Sequence, residues 1–427
     1  MQKFRLYIIY ALLFVPAALA DCFQLNNTSA CHNFSSLLNK VPDTYPMLQK
    51  VFADPAPYKV QIIYTQIDRD TQNKPHLSYY QYNVDENRYF YPASSVKLPI
   101  ALLALEWLNE QNVEQLTTET TMFTDAALPW QTAAHIDDTS ATKLPSMAHY
   151  IKKILLVSDN DASNRLYELL GQERINVKLA EKGLTNSLIT HRLSTSLTEQ
   201  QNRQYNPIRF IGLDNTLLLA LPARESVSVF RNKAEATFGK GYIDNGNYID
   251  QPMDFTAKNR QSLANFDGVI KRLVFPELFS KQQQFALSSK DREFVLRYMS
   301  MLPSESDYPS YNTEHFPDNY SKFLMFAGEP KSLPANIRIF NKTGWAYGHI
   351  VDGGYFVDIE NQVEFFLTAV IYTNKNDILN DDQYETKQVA YPFLNELGNY
   401  IYQYELNRAK PIRPDLTDIK KIISKSP

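Results

Sequence analysis

Residues 98–108, LPIALLALEWL, most constrain what this chain can become. The run is apolar around nearly the whole circumference of a helix. Such a helix has no face to give to water, so the spacing predicts a helix buried on all sides. A buried helix needs other elements around it, and the chain provides them. YKVQIIYTQID (58–68) and HLSYYQYNV (76–84) alternate with the period of strands, and the polar segment between them predicts a hairpin. MAHYIKKILLV (147–157) and ASNRLYELLG (162–171) read as helices, the second closed by Gly171, as does QERINVKLAEKGL (172–184). LSSKDREFVLRYMSML (287–302) is a helix capped by Ser288 or Ser289. NIRIFNKTGWA (336–346), IVDGGYFVDI (350–359) and VEFFLTAVIYT (363–373) are three successive antiparallel strands, and YPFLNELGNYIYQYELN (391–407) is a closing amphipathic helix.

Two strands, a helical block, three strands and a final helix specify an α+β fold. The expected architecture is an antiparallel five-stranded sheet flanked by helices, with an all-helical lobe inserted between its strands. Residues 222–286 show no clean period and are expected to form an insertion packed on the domain, because their aromatics would otherwise be exposed. The main domain is expected over 36–408, with a C-terminal tail at 409–427.

The first twenty residues read as a secretory signal: Lys3 and Arg5, then the apolar LYIIYALLFV, then ALA ending at Ala20. The alternative is an uncleaved N-terminal anchor, but the apolar run is short for a membrane span. A periplasmic or secreted protein with no stable membrane span is expected. Cys22 and Cys31, the only two cysteines, are expected to pair within the N-terminal segment 21–35, and the main domain then holds no cysteine nucleophile. A net charge of −4 without a basic stripe argues against nucleic acid as a partner. The seven histidines are scattered, so neither metal site nor cofactor is expected.

Three short motifs carry chemistry. YPASSVK places Ser94 and Lys97 three apart before the buried helix. On one helical face, a desolvated lysine could take the proton of a serine nucleophile, or the two are ordinary polar residues at a helix start. A second S-x-x-K, Ser140 to Lys143, precedes no such helix and is given no function. Ser158, Asp159 and Asn160 fall between two helices, where they either cap a helix or edge a cleft. Lys342, Thr343 and Gly344 lie on a strand, as a β-bulge with a solvent lysine or as a cleft edge open to a ligand.

In this order and placement the three motifs resemble those of the penicilloyl-serine transferase superfamily, most closely the class A β-lactamases and their serine-hydrolase relatives. The resemblance spans roughly residues 36–408 apart from 222–286. It implies a β-lactamase/transpeptidase-like fold and a carboxylate-bearing substrate, a β-lactam or a D-alanyl-D-alanine peptide, handled by a monomer. It also implies that Ser94 is acylated and Lys97 is its base, directly or through a water. Ser158 would pass a proton to the leaving nitrogen, and Asn160 would orient Lys97 and the substrate amide. Lys342 and Thr343 would receive the carboxylate, and the backbone N–H groups of Ser94 and Trp345 would hold the oxyanion. Asp159 would be structural. One class A feature is missing: between Arg192 and Asn206–Pro207 there is no E-x-x-L-N, and Glu199 is the only carboxylate. Slow deacylation is therefore expected, with two alternatives: a true β-lactamase with Glu199 as the base on a rearranged loop, or a cell-wall peptide-binding module.

Overall fold

The structure, a computed structural model, describes residues 31–38, 40–233 and 236–424. The signal sequence and the Cys22–Cys31 pairing lie outside the described residues. The central sheet contains β1 (Cys31–Asn33), β2 (Gln61–Arg69), β3 (Pro75–Tyr82), β4 (Ile337–Ala346), β5 (His349–Asp358) and β6 (Val363–Tyr372), in the spatial order β1-β3-β2-β6-β5-β4. The five long strands are antiparallel, as expected. The sheet is nevertheless six-stranded, because β1 adds in parallel to β3, with Cys31 opposite Tyr79. A three-residue strand is too short to show alternation, so the sequence offers no sign of it.

Strand alternation serves two cores. Ile63, Ile67, Phe340, Tyr355 and Phe366 face one, and Ile62, Tyr64, Ile339, Phe356 and Phe365 face the other. Every residue of β5 and β6 is buried, because both faces are covered. The closing helix Tyr391–Asn407 packs with Pro46–Ala53 on one face. On the other lies the lobe built around α1 (Lys97–Glu110), whose residues Lys97–Leu108 are all buried. Against α1 pack α2 (Met147–Val157) and α3 (Asn160–Leu170).

One expectation is corrected. The lobe is not all-helical: Thr121–Thr124, Ile208–Ile211 and Leu217–Leu221 form a small antiparallel sheet within it. The stretch 222–286 holds both short ladders and a helix. Its Leu263–Val274 is a fully buried helix packed on β2, β5 and β6. Its earlier part forms short ladders, one of which pairs Gly241–Asp244 in parallel with Ile378–Leu379. The C-terminal tail contains the helix Thr417–Ser424, which docks on the helix Ser289–Ser300, and Leu416 and Ile422 are buried in the core. Among the described residues no helix is long and apolar enough to cross a membrane.

Candidate active site

Ser94 sits in a tight turn, Ala93–Val96, of 3₁₀ form, and α1 starts immediately after it at Lys97. In a 3₁₀ turn residues three apart eclipse, so Ser94 and Lys97 share a side more closely than in an α-helix. The turn is held against the edge strand β4 at Gly344. A Cβ there would collide with the carbonyl of Pro92 and stand 3.0 Å from the amide of Ser95. The glycine is what lets β4 lie against the turn that carries the serine.

The bend between α2 and α3 divides its labour. Ser158 ends α2 in the left-handed region (φ 62°, ψ 38°), which reverses the chain sharply. Asp159 caps α3, accepting from the amide of Ala162. Capping is thus the work of Asp159, while Ser158 and Asn160 turn towards α1.

Lys97 is wholly buried, and its ammonium is surrounded by acceptors. It donates to the Ser158 carbonyl, to Asn160 Oδ1 at 2.7 Å and to Ser158 Oγ at 3.3 Å. Burial lowers its pKa to about 7, with Asp159 opposing the shift. Lys342, on β4, reaches the same hydroxyl from the opposite side, 2.8 Å from Ser158 Oγ, and also donates to the Thr343 carbonyl at 2.9 Å. Burial first, and then repulsion from Lys97, hold its pKa well below the lysine value. A hydroxyl has two acceptor positions and one proton. With a lysine at each acceptor position, the proton of Ser158 is left to point elsewhere.

Behind β4, Lys322 donates to Asn341 Oδ1 at 2.6 Å, and Asn341 donates to Asp352 at 2.8 Å. Burial lowers the Lys322 pKa to about 7 and raises that of Asp352 to about 6. This polar network fixes the strand that presents Lys342.

Two cavities meet at Ser94. The first, about 310 Å³, joins Ser94, Ser158, Asn160, Thr343, Gly344 and Trp345 to Tyr320 and Tyr391. The second, about 430 Å³, lies on the other side of the serine, between Ser94, Asn160, Ser194, Trp345, Tyr347 and Asp382. Trp345 is 58% exposed and stands between the two.

Glu199 lines neither cavity. It faces a separate one beside His191 and Lys258, and its carboxylate pairs with Arg231 at 2.8 Å. The loop instead brings Ser194 to the site, where its Oγ accepts from Asn160 Nδ2 at 2.8 Å. Nothing in the sequence singles out Ser194, because loop geometry has no period. Ser140 and Lys143 lie in an unrelated turn, donating to the carbonyls of Leu144 and Asp138 respectively.

Residues 45–219, which carry the first two motifs, match the β-lactamase enzyme family. No curated protein matches the chain. Among solved structures, a point mutant of PBP-A in acyl-enzyme complex with penicillin G is 15% identical, covers 87% of this chain and 97% of its own, and has a TM-score of 0.47. A β-lactamase from Sphaerobacter thermophilus is 12% identical over 87% of this chain and 97% of its own (TM-score 0.45). The β-lactamase from Streptomyces albus G is 12% identical over 84% and 99% (TM-score 0.44). The residues that surround Lys97 thus fall within the segment 45–219 that is similar to the β-lactamase enzyme family.

Proposed function

We propose that this protein is an exported serine hydrolase, acting in the periplasm or outside the cell, that acylates Ser94 with an amide carbonyl of a β-lactam or a D-alanyl peptide. The observation that carries the reading is the Ser158 hydroxyl held between the buried amines of Lys97 and Lys342, beside a cavity that contains Ser94. With a pKa of about 7, Lys97 is a free amine in roughly half of the molecules at neutral pH. The free amine takes the proton of Ser94 as its Oγ bonds the carbonyl carbon. The backbone N–H groups of Ser94 and Trp345 receive the developing oxyanion. The C–N bond then breaks. The leaving nitrogen takes the Ser158 proton, which the Lys97 ammonium replaces. Lys342 and Thr343 receive the substrate carboxylate, and a bound anion restores the charge that burial takes from Lys342.

With Glu199 paired to Arg231 in another cavity, no carboxylate of the 192–206 loop lines the Ser94 cavities, which supports slow hydrolysis of the acyl-enzyme. Intact-mass spectrometry after mixing with benzylpenicillin tests the reading. A long-lived penicilloyl adduct on Ser94, absent in Ser94→Ala, is expected. An adduct that survives in Ser94→Ala overturns it.

A further inference from the structure

The second cavity at Ser94 differs from the first in charge: among the described residues no charged side chain lines the first, whereas a carboxylate lines the second. Both are walled by aromatic side chains, the second by Tyr91, Trp345, Tyr347 and Tyr384, and among the described residues Asp382 is the one charged residue that lines the second. The neighbouring carboxylate, Asp381, is used inside its own loop. It accepts from Asn376 Nδ2 at 2.6 Å and from the Gln383 amide at 3.0 Å. Asp382 is exposed and lies at the left-handed φ of 59° on the loop that follows β6. That loop is tied in place. The Asn380 amide donates to the Tyr384 hydroxyl at 2.7 Å, and Ile378–Leu379 pair with Gly241–Asp244 from the region without sequence period. The Lys240 amide adds a bond to the Asp377 carbonyl at 2.8 Å. Ladders within 222–261 thus buttress the wall that carries Asp382.

Which part of a substrate would reach this cavity follows from the chemistry of the first. In a β-lactam or a D-alanyl peptide the carboxylate belongs to the leaving-nitrogen side. Ser158 and Thr343 line the first cavity only, so the leaving side occupies that one. The acyl side must then extend past Asn160 and Ser194 into the second. Aromatic faces and a single carboxylate suit an organic ammonium, through cation–π attraction and charge pairing. We infer that Asp382 makes the enzyme favour acyl donors with a cationic amine at the far end of the acyl group, an inference that rests on the acyl-enzyme reading above.

The test uses two penicillins that differ only at the end of the acyl side chain, one a primary alkylamine and the other its N-acetyl derivative. Acylation rates are followed by intact mass for the full chain and for Asp382→Asn. The wild-type protein is expected to favour the amine, and the amine-to-acetyl rate ratio is expected to fall roughly threefold in Asp382→Asn. The wild-type preference should also shrink in molar salt, because the carboxylate is exposed. Adducts with both penicillins and an unchanged ratio in Asp382→Asn overturn the role of Asp382 and leave the acyl-enzyme reading standing. No adduct with either penicillin overturns the acyl-enzyme reading, and the Asp382 assignment with it.

Discussion

The chain contains the same S-x-x-K pattern twice, and the two copies end in different chemistry. Lys97 opens a helix that is buried on every side, and its amine donates to Ser158 and Asn160. Lys143 lies in an exposed turn at a left-handed φ of 60°, where its amine bonds the Asp138 carbonyl. Ser94 faces two cavities, whereas Ser140 donates back to the Leu144 carbonyl four residues on. A lysine becomes a base near neutral pH when water is removed from its ammonium, and that depends on what packs over it. The comparison teaches that the spacing supplies the pair and burial supplies the reactivity.

The largest expected difference between the two copies comes from removing each lysine. Lys97→Ala should slow acylation by about 10²–10⁴-fold, the range of a lost general base, while Lys143→Ala should stay within about twofold of wild type. Equal losses in the two variants, read as penicilloyl adduct against time, would break the contrast. A second variant asks whether the turn that carries Ser94 depends on its contact with β4. Gly344→Ala forces a Cβ against the Pro92 carbonyl, so it should cost about 1–3 kcal/mol in chemical denaturation and disturb the Ser94 turn. A Gly344→Ala protein with wild-type stability and acylation rate would show that the close approach is dispensable.

The smallest effect concerns the charge beside Lys97. Because its folded pKa lies near 7, well below the lysine value, acylation at saturating penicillin should rise with pH through about 7 and level off above. The Asp159 carboxylate opposes the depression, so Asp159→Asn, which keeps a good capping residue, should move the midpoint of that rise to lower pH. A midpoint that stays put, or moves up, would mean that Asp159 is not felt electrostatically at Lys97.

Elements with a long, strong period were legible in the sequence. The five long strands, α1 to α3 and the closing helix follow from alternation, apolar periodicity and capping residues. The irregular elements were not. β1 is three residues long, and the ladders within 222–261 owe their place to partners distant in sequence, such as Ile378–Leu379. The helix Leu263–Val274 sits inside the stretch that lacked a clean period, yet it is buried against the sheet. At the site, Ser158, Asn160 and Lys342 could be named by motif and resemblance. Ser194 and Asp382 could not, because each reaches its cavity through a loop whose path is set by contacts with other parts of the chain.

The sequence by itself determined the five long strands, α1 to α3 and the closing helix, since side-chain period and caps act over a few neighbouring residues. It also placed a serine and a lysine three apart at the head of a helix with no water-facing side. Only the tertiary structure decided that Lys97 and Lys342 flank one hydroxyl, that Glu199 turns to Arg231 in another cavity, and that Asp382 lines the cavity beyond Ser94. Those relations join residues far apart in the chain. They depend on how packed elements exclude water and bring charges together, which no local pattern encodes.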